Sequence, residues 1–124
     1  MSTINRFEDI EAWQQARSLT QSIYRMAKTG GLSKDYGLRD QIQRASVSVM
    51  SNIAEGFESR TDALFLDLLG RAKGSCGEVR SELYVVLDAG YIAEKQFNEL
   101  RDLAERCSGK IQNFMTYLKE NPHR

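Results

Sequence analysis

Apolar residues recur along most of the chain at spacings of three and four, and this spacing predicts amphipathic α-helices. Four such segments follow one another, at about residues 7–28, 36–56, 61–89 and 93–119. The connections between them are short, so each helix is expected to lie beside the next one. The pattern therefore predicts an all-α fold, a single antiparallel up-down-up-down four-helix bundle.

Local signals predict where the helices begin and end. Glu8, Asp9 and Glu11 are expected in the first turn of the first helix, where the helix dipole favours acidic side chains. The pair at residues 30–31, Gly-Gly, is expected to end that helix with a left-handed cap. Thr61 is the predicted N-cap of the third helix.

The second predicted helix carries more apolar surface than one bundle can cover. Its core stripe comprises Leu38, Ile42, Ala45, Val49, Ile53 and Gly56. A second apolar stripe lies on another side and comprises Val47, Met50, Ala54 and Phe57. Because a surface helix normally has one apolar face, this second stripe is predicted to contact another subunit. A short loop folding over it is the alternative.

The third predicted helix has a glycine face, formed by Gly70, Gly74 and Gly77 on the side opposite its core stripe. Each glycine inside a helix costs about 1 kcal/mol relative to alanine. Three glycines on one side therefore indicate close approach of another backbone, and we assign them, with the second apolar stripe, to an oligomer interface. The alternative is a break between two shorter helices. The unbroken phase of the core stripe favours one continuous helix.

Polar residues follow one flank of the second helix and a comparable flank of the third. They are Gln41, Arg44, Ser48, Asn52 and Glu55 on the second helix and Arg71, Ser75, Glu78 and Glu82 on the third. If the two helices are antiparallel, Arg44 and Asn52 can meet Glu78 or Ser75. We predict a hydrogen-bonded polar seam that fixes the register of the helices, with a ligand site as the alternative. Loss of Arg44 is then expected to lower thermal stability or change the oligomeric state.

Charge weighs against a general nucleic-acid-binding protein. The chain has 17 Lys and Arg residues and 17 Asp and Glu residues, whereas affinity for phosphates comes largely from an excess of Lys and Arg. Residues 12–44 nevertheless hold an excess of basic residues, including Arg17, Arg25 and Lys28 on one side of the first helix. This basic patch is expected to be a solvated face. The alternative is an RNA-associated module whose patch is repeated around an oligomer.

The sequence offers no arrangement typical of catalysis, metal binding or cofactor binding. Its one histidine, His123, lies in a tail that is expected to fray, so no Ser-His or Cys-His pair can be proposed. Cys76 and Cys107 both fall on apolar stripes and are predicted to be reduced core residues, with a disulfide as the alternative. The order Lys73-Gly74-Ser75 does not match a phosphate-binding loop. The chain is therefore predicted not to be an enzyme.

No stretch approaches the about 20 apolar residues needed to span a membrane. The first residues also lack the apolar segment of a signal peptide. These features predict a cytoplasmic protein.

Four motifs together resemble the four-helix bundle family of 23S rRNA intervening-sequence proteins. They are Phe7-x-Asp9-Ile10-x-x-Trp13-x-x-Ala16, residues 41–56 (QIQRASVSVMSNIAEG), Ala72-x-Gly74-Ser75-x-x-Glu78 and Gly90-Tyr91-Ile92. The resemblance extends from Phe7 to about Leu118. It implies a small cytosolic bacterial protein that assembles as a homopentamer, with no established catalytic residues and a largely unknown family function.

A related branch of this family comprises accessory proteins of diversity-generating retroelements, which bind a reverse transcriptase and nucleic acid. The predicted function is thus a non-enzymatic oligomeric scaffold or interaction protein whose partner is a further copy of itself. The alternative is an accessory module that binds RNA or an RNA-processing protein.

Overall fold

The computed structural model describes residues 4–122. In this range the chain forms four long α-helices and no strand. Helix α1 spans Glu11–Ala27, α2 spans Tyr36–Glu58, α3 spans Asp62–Asp88 and α4 spans Glu94–Glu120. Short 3-10 turns, Phe7–Asp9 and Gly31–Lys34, precede α1 and α2. The predicted all-α fold with four helices is confirmed. None of the described helices is both long and apolar enough to cross a membrane.

The core lies between the four helices. Each helix packs on its neighbours along the chain, and α4 packs back on α1. The largest side chains that are fully buried come from all four helices and from the segments before α1 and α2. They are Phe65, Ile10, Leu19, Ile23, Leu32, Ile42, Ile53, Leu69, Leu83, Ile111, Leu118 and Val49. The apolar spacing of each helix therefore serves one shared core.

The start of the first helix differs from the prediction. Phe7–Asp9 forms a separate turn, and the backbone at Ile10 is extended before α1 begins at Glu11. Burial explains the difference, because Ile10 is 1% exposed and the Phe7 ring packs edge-on against Trp13 with centroids 5.2 Å apart. This segment folds over the bundle instead of extending the helix. Only one of the three acidic residues expected in the first turn of α1 is there.

The predicted glycine cap after the first helix is wrong. Helix α1 ends at Ala27, and Gly30 has φ 62° and ψ −157°, which is not the left-handed helical conformation. Gly31 begins the next 3-10 turn, where a Cβ atom would lie 2.5 Å from two ring carbons of Tyr91. The two glycines therefore serve different purposes. The first permits a positive φ, and the second makes room for an aromatic ring.

Tyr91 joins the two connections at one end of the bundle. It lies between α3 and α4, and its ring covers Gly31 in the connection between α1 and α2. Its hydroxyl donates a hydrogen bond of 2.9 Å to Asp35 Oδ2, and this bond raises the pKa of Tyr91. Asp35 Oδ1 in turn accepts from the backbone N–H of Leu38 and caps the start of α2.

Helix α3 runs without interruption through the glycine face, so the alternative of two shorter helices is wrong. The predicted N-cap is confirmed, because Thr61 Oγ1 accepts a hydrogen bond from the N–H of Leu64 at 3.2 Å. Helix α2 continues two residues beyond Gly56, to Glu58. Gly56 is buried there against Phe65, and a Cβ atom on it would lie 2.6 Å from the Phe65 ring.

We expect Gly56→Ala to lower the free energy of unfolding by about 1–3 kcal/mol, because the added methyl group overpacks a rigid, fully buried ring. The matched control is Gly109→Ala in α4, where a Cβ atom would meet nothing within 4 Å. That change should raise the free energy of unfolding by up to about 1 kcal/mol through helix propensity. Urea denaturation followed by circular dichroism measures both, and equal effects of the two changes would contradict the packing argument.

Candidate functional site

The predicted polar seam forms between α2 and α3 in part. Ser48 Oγ and Ser75 Oγ share a hydrogen bond of 2.9 Å across the two helices. Asn52 Nδ2 donates to the backbone oxygen of Ser48 at 2.9 Å and to its hydroxyl at 3.0 Å. Further along, Gln41 Nε2 donates to Glu82 Oε2 at 2.9 Å. The seam thus links α2 and α3 at two levels, and its polar groups form hydrogen bonds with one another.

Four residues assigned to the seam lie outside it. Arg44, Glu55, Arg71 and Glu78 are all exposed, and Arg71 pairs with Asp67 of its own helix. Among the described residues, Arg44 forms neither a hydrogen bond nor an ion pair, so the structure does not bring it to Glu78 or Ser75 within one chain. Their helical positions turn these charged side chains toward solvent, while the smaller polar residues fill the seam.

Glu82 is the one charged residue of the described range that is buried, at 7% exposed. Loss of hydration raises the pKa of its carboxyl group; the hydrogen bond from Gln41 opposes this rise and the charge of Glu78 adds to it. Oε1 is buried and has no hydrogen-bond partner among residues 4–122. The carboxylate is therefore held by a single neutral donor at the contact of α2 and α3.

The second apolar stripe is divided by the fold. Met50 and Phe57 are half-buried and pack against the core, and the Phe57 and Phe65 rings meet edge to face at 6.2 Å. The turn Phe7–Asp9 also packs on α2. Ala54 is half-buried as well. Val47, at 38% exposed, is the member that points outward.

The glycine face of α3 is open. Gly70, Gly74 and Gly77 are exposed, and a Cβ atom on any of them would meet nothing within 4 Å of the same chain. Leu64, at 49% exposed, and Val85, at 51% exposed, lie toward its two ends. Within one chain these glycines lower helix stability and allow no close packing in return.

A shallow groove of about 660 Å³ runs along the outer side of α2. We call it the α2 groove. It is lined by Tyr24, Asp40, Gln43, Arg44, Val47, Ser48, Ser51 and Asn52. Residues of the seam, the exposed member of the second apolar stripe and an unpaired cation thus share one surface.

The predicted basic patch lies on the outer side of α1. Arg17, Arg25 and Lys28 are exposed, and within the described range none of them has an acidic partner. The Arg17 guanidinium lies 6.0 Å from the centroid of the Trp13 ring. Arg25 Nη2 donates a hydrogen bond of 3.4 Å to Ser22. The patch therefore keeps three positive charges that no neighbour neutralises.

The cysteines lie in the core, as predicted. Cys76 and Cys107 are buried free thiols that face each other across α3 and α4. Their mutual hydrogen bond, together with burial, raises the pKa of Cys107. The described residues include no group of three or more His, Cys, Asp or Glu side chains that could hold a metal ion. The predicted fraying tail includes His123, which lies outside the described residues.

The family model described as 23S rRNA-intervening sequence protein matches residues 8–113. The chain belongs to this family. The match confirms the resemblance seen in the motifs of α1, α2 and α3. No curated protein matches the sequence.

The fold also occurs in a solved structure of the same kind. A protein of unknown function from the S23 ribosomal protein family of Bacteroides thetaiotaomicron superposes on this chain with a TM-score of 0.78. The two sequences are 17% identical, and the alignment covers 85% of this chain and 95% of the other. At this identity the likeness shows a shared fold.

Replacement of Glu82 tests the cost of its buried charge. Because its pKa is raised in the folded state, the folded protein holds this proton more tightly than the unfolded chain. Protonation of Glu82 therefore stabilises the fold, and this effect is complete at pH values below the pKa that Glu82 has in the unfolded chain. The effect is lost as the pH rises through the pKa that Glu82 has in the folded protein. Glu82→Gln keeps an oxygen acceptor for Gln41 and removes the charge. We therefore expect a higher melting temperature than wild type at about pH 8 and little difference at about pH 4.

Thermal melts monitored by circular dichroism across this pH range measure the effect. The matched control is Glu99→Gln, a change at an exposed position of α4, which should alter the melting temperature little at either pH. A Glu82→Gln variant whose difference from wild type is the same at both pH values would contradict the inferred cost of ionisation.

Proposed function

We propose that the protein is a non-enzymatic scaffold that assembles into a homo-oligomer, a ring of five copies as the family resemblance implies. The observation that carries the proposal is the open glycine face of α3. Three glycines inside a long helix cost about 3 kcal/mol relative to alanine. No contact within one chain uses the space that they leave. A second backbone that packs closely on this face would use it.

We also propose that each subunit is an antiparallel up-down-up-down bundle. Contacts between neighbouring helices support this arrangement. As the residue number increases along one helix, the number of the residue that it contacts on the next helix decreases. On α2 and α3 they are Gln41 with Glu82 and Ser48 with Ser75, and on α3 and α4 they are Arg80 with Glu105 and Tyr84 with Phe97. Such bundles expose their helix faces around the whole circumference, which suits assembly side by side.

The polar seam supports a structural role over a catalytic one. Ser48 and Ser75 share a hydrogen bond across α2 and α3, and Asn52 donates to Ser48 within α2. A seam of this kind fixes helix register and leaves few groups free for a substrate. The protein is expected to act in the bacterial cytoplasm, as its family resemblance implies.

The oligomeric state is the direct test. Size-exclusion chromatography with light scattering should give the wild-type protein a mass several times the 14.1 kDa of one chain. Gly74→Leu should reduce this mass, because its side chain fills the glycine face, while the helical content is kept because nothing in the chain lies within 4 Å of a Cβ there. Gly109→Leu, at an open glycine of α4, is the matched control and should leave the mass unchanged. A monomeric wild type would refute the proposal.

A second candidate function is binding of RNA, alone or with an RNA-processing protein. The observation that favours it is the basic patch of α1, whose three cations have no acidic partner among the described residues. Repetition of this patch around a ring would present a multivalent surface for phosphates. The likeness to retroelement accessory proteins remains a prediction that is consistent with this candidate.

Electrophoretic shift of a labelled RNA tests the candidate. We expect binding at low salt that weakens steeply as salt increases, and that is lost when Arg17, Arg25 and Lys28 are all changed to glutamine. The matched control changes the exposed residues Lys95, Arg106 and Lys119 of α4 to glutamine, which removes the same charge elsewhere. Equal loss of binding in both triple variants would show that only net charge matters and would contradict a specific patch.

A further inference from the structure

We propose that the glycine face of α3 in one copy packs against the α2 groove of the next copy, with Val47 of the groove entering the space that the glycines leave. Each subunit then uses two different surfaces, one toward each of its neighbours. This inference rests on the proposed homo-oligomer.

The shapes of the two surfaces complement each other. The α2 groove presents exposed side chains on its outer side, with Tyr24 and Val47 each 38% exposed. The glycine face has no side chains at Gly74 and Gly77. Helices pack when the side-chain ridges of one enter depressions on the other, and small residues allow the closest approach of two helices. A protruding residue on α2 therefore matches an open face on α3.

Symmetry fixes which residues meet. Within one chain, Ser48 lies level with Ser75 and Gln41 lies level with Glu82. In a ring whose symmetry axis is parallel to the helices, rotation does not move residues along the axis. A given residue therefore lies at the same height in every copy. Residues 44–47 of one copy then lie level with residues 76–79 of the next.

Two pairs follow from this register. Val47 of one copy faces the open backbone between Gly74 and Gly77 of its neighbour. Arg44 of one copy faces Glu78 of its neighbour.

Charge supports the second pair. Arg44 and Glu78 are exposed, and neither forms an ion pair within the described part of one chain. Most other arginines on this side of the bundle are already paired, such as Arg39 with Asp40 and Arg71 with Asp67. The unpaired cation of the groove and the unpaired anion beside the glycine face thus have opposite charges at the same height.

The directions of the two surfaces also allow a closed ring. Helices α2 and α3 occupy neighbouring corners of the bundle, so their outer sides point about 90° apart. A contact between two unlike surfaces closes into a ring when the outward directions of the two surfaces on one subunit differ by a suitable angle. This angle is about 90–120° for rings of four to six subunits. A ring of five lies within this range.

A charge-reversal experiment with mixing tests the inference. Arg44→Glu and Glu78→Arg should each reduce the mass in light scattering toward 14.1 kDa, because like charges then face each other across every contact. When the two variants are mixed in equal amounts, opposite charges face each other again at every contact between unlike variants, which in a ring of five is at most four of the five contacts. We expect the mixture to form assemblies that contain both chains. A pair within one chain could not be restored in this way.

The controls separate the possible outcomes. Arg106→Glu reverses an exposed charge on α4 that has no ion-pair partner among residues 4–122, and it should leave the mass unchanged. Circular dichroism should show wild-type helical content for all variants. If wild type assembles and Arg44→Glu keeps the full mass, the inference is wrong while the scaffold proposal stands, and the groove is open to a different partner. Variants that dissociate alone and stay separate on mixing also overturn the inference. A monomeric wild type overturns both.

Discussion

The close packing of α2 on α3 is the contact on which the rest of the structure depends. Gly56 lets the end of α2 approach the Phe65 ring, and the hydroxyl pair of Ser48 and Ser75 fixes the register farther along. Glu82 is drawn into the same contact at the cost of its hydration. Once this pair of helices is aligned, the outer sides of α2 and α3 are set relative to each other. The seam inside and the two open surfaces outside are thus consequences of one helix pair.

Much of this fold was predictable from local spacing. Helical periodicity located the four helices, and the unbroken phase of apolar residues showed that α3 continues through Gly70, Gly74 and Gly77. Thr61 was predictable as an N-cap because its hydroxyl accepts a hydrogen bond from a backbone N–H only three residues later, at Leu64. The beginning of the first helix was not predictable in this way. There the burial of Ile10 and the packing of the half-buried Phe7 against the core, which are tertiary contacts, override the helical pattern.

The sequence spacing predicted which residues share a side of each helix, but it did not predict all the contacts that their side chains make. Spacing placed Ser48, Asn52 and Ser75 on facing flanks, and the structure joins them. The same spacing could not show that Arg44 points outward, since a long flexible side chain on the edge of a flank can turn either way. It also could not show that Phe57 reaches the core, because that depends on where the neighbouring Phe65 lies.

Tyr91 has a consequence for how copies can associate. The protein consists of two helical hairpins, and this residue joins their turns through Gly31 and Asp35 at one end of the bundle. Two copies could otherwise form a dimer by exchanging a hairpin, since each hairpin would find the same core in its partner. The clasp between the turns ties each hairpin to the other half of its own chain. The clasp must break before a hairpin can leave its own chain, and the same clasp would form again between two intertwined chains, so it slows the exchange of hairpins.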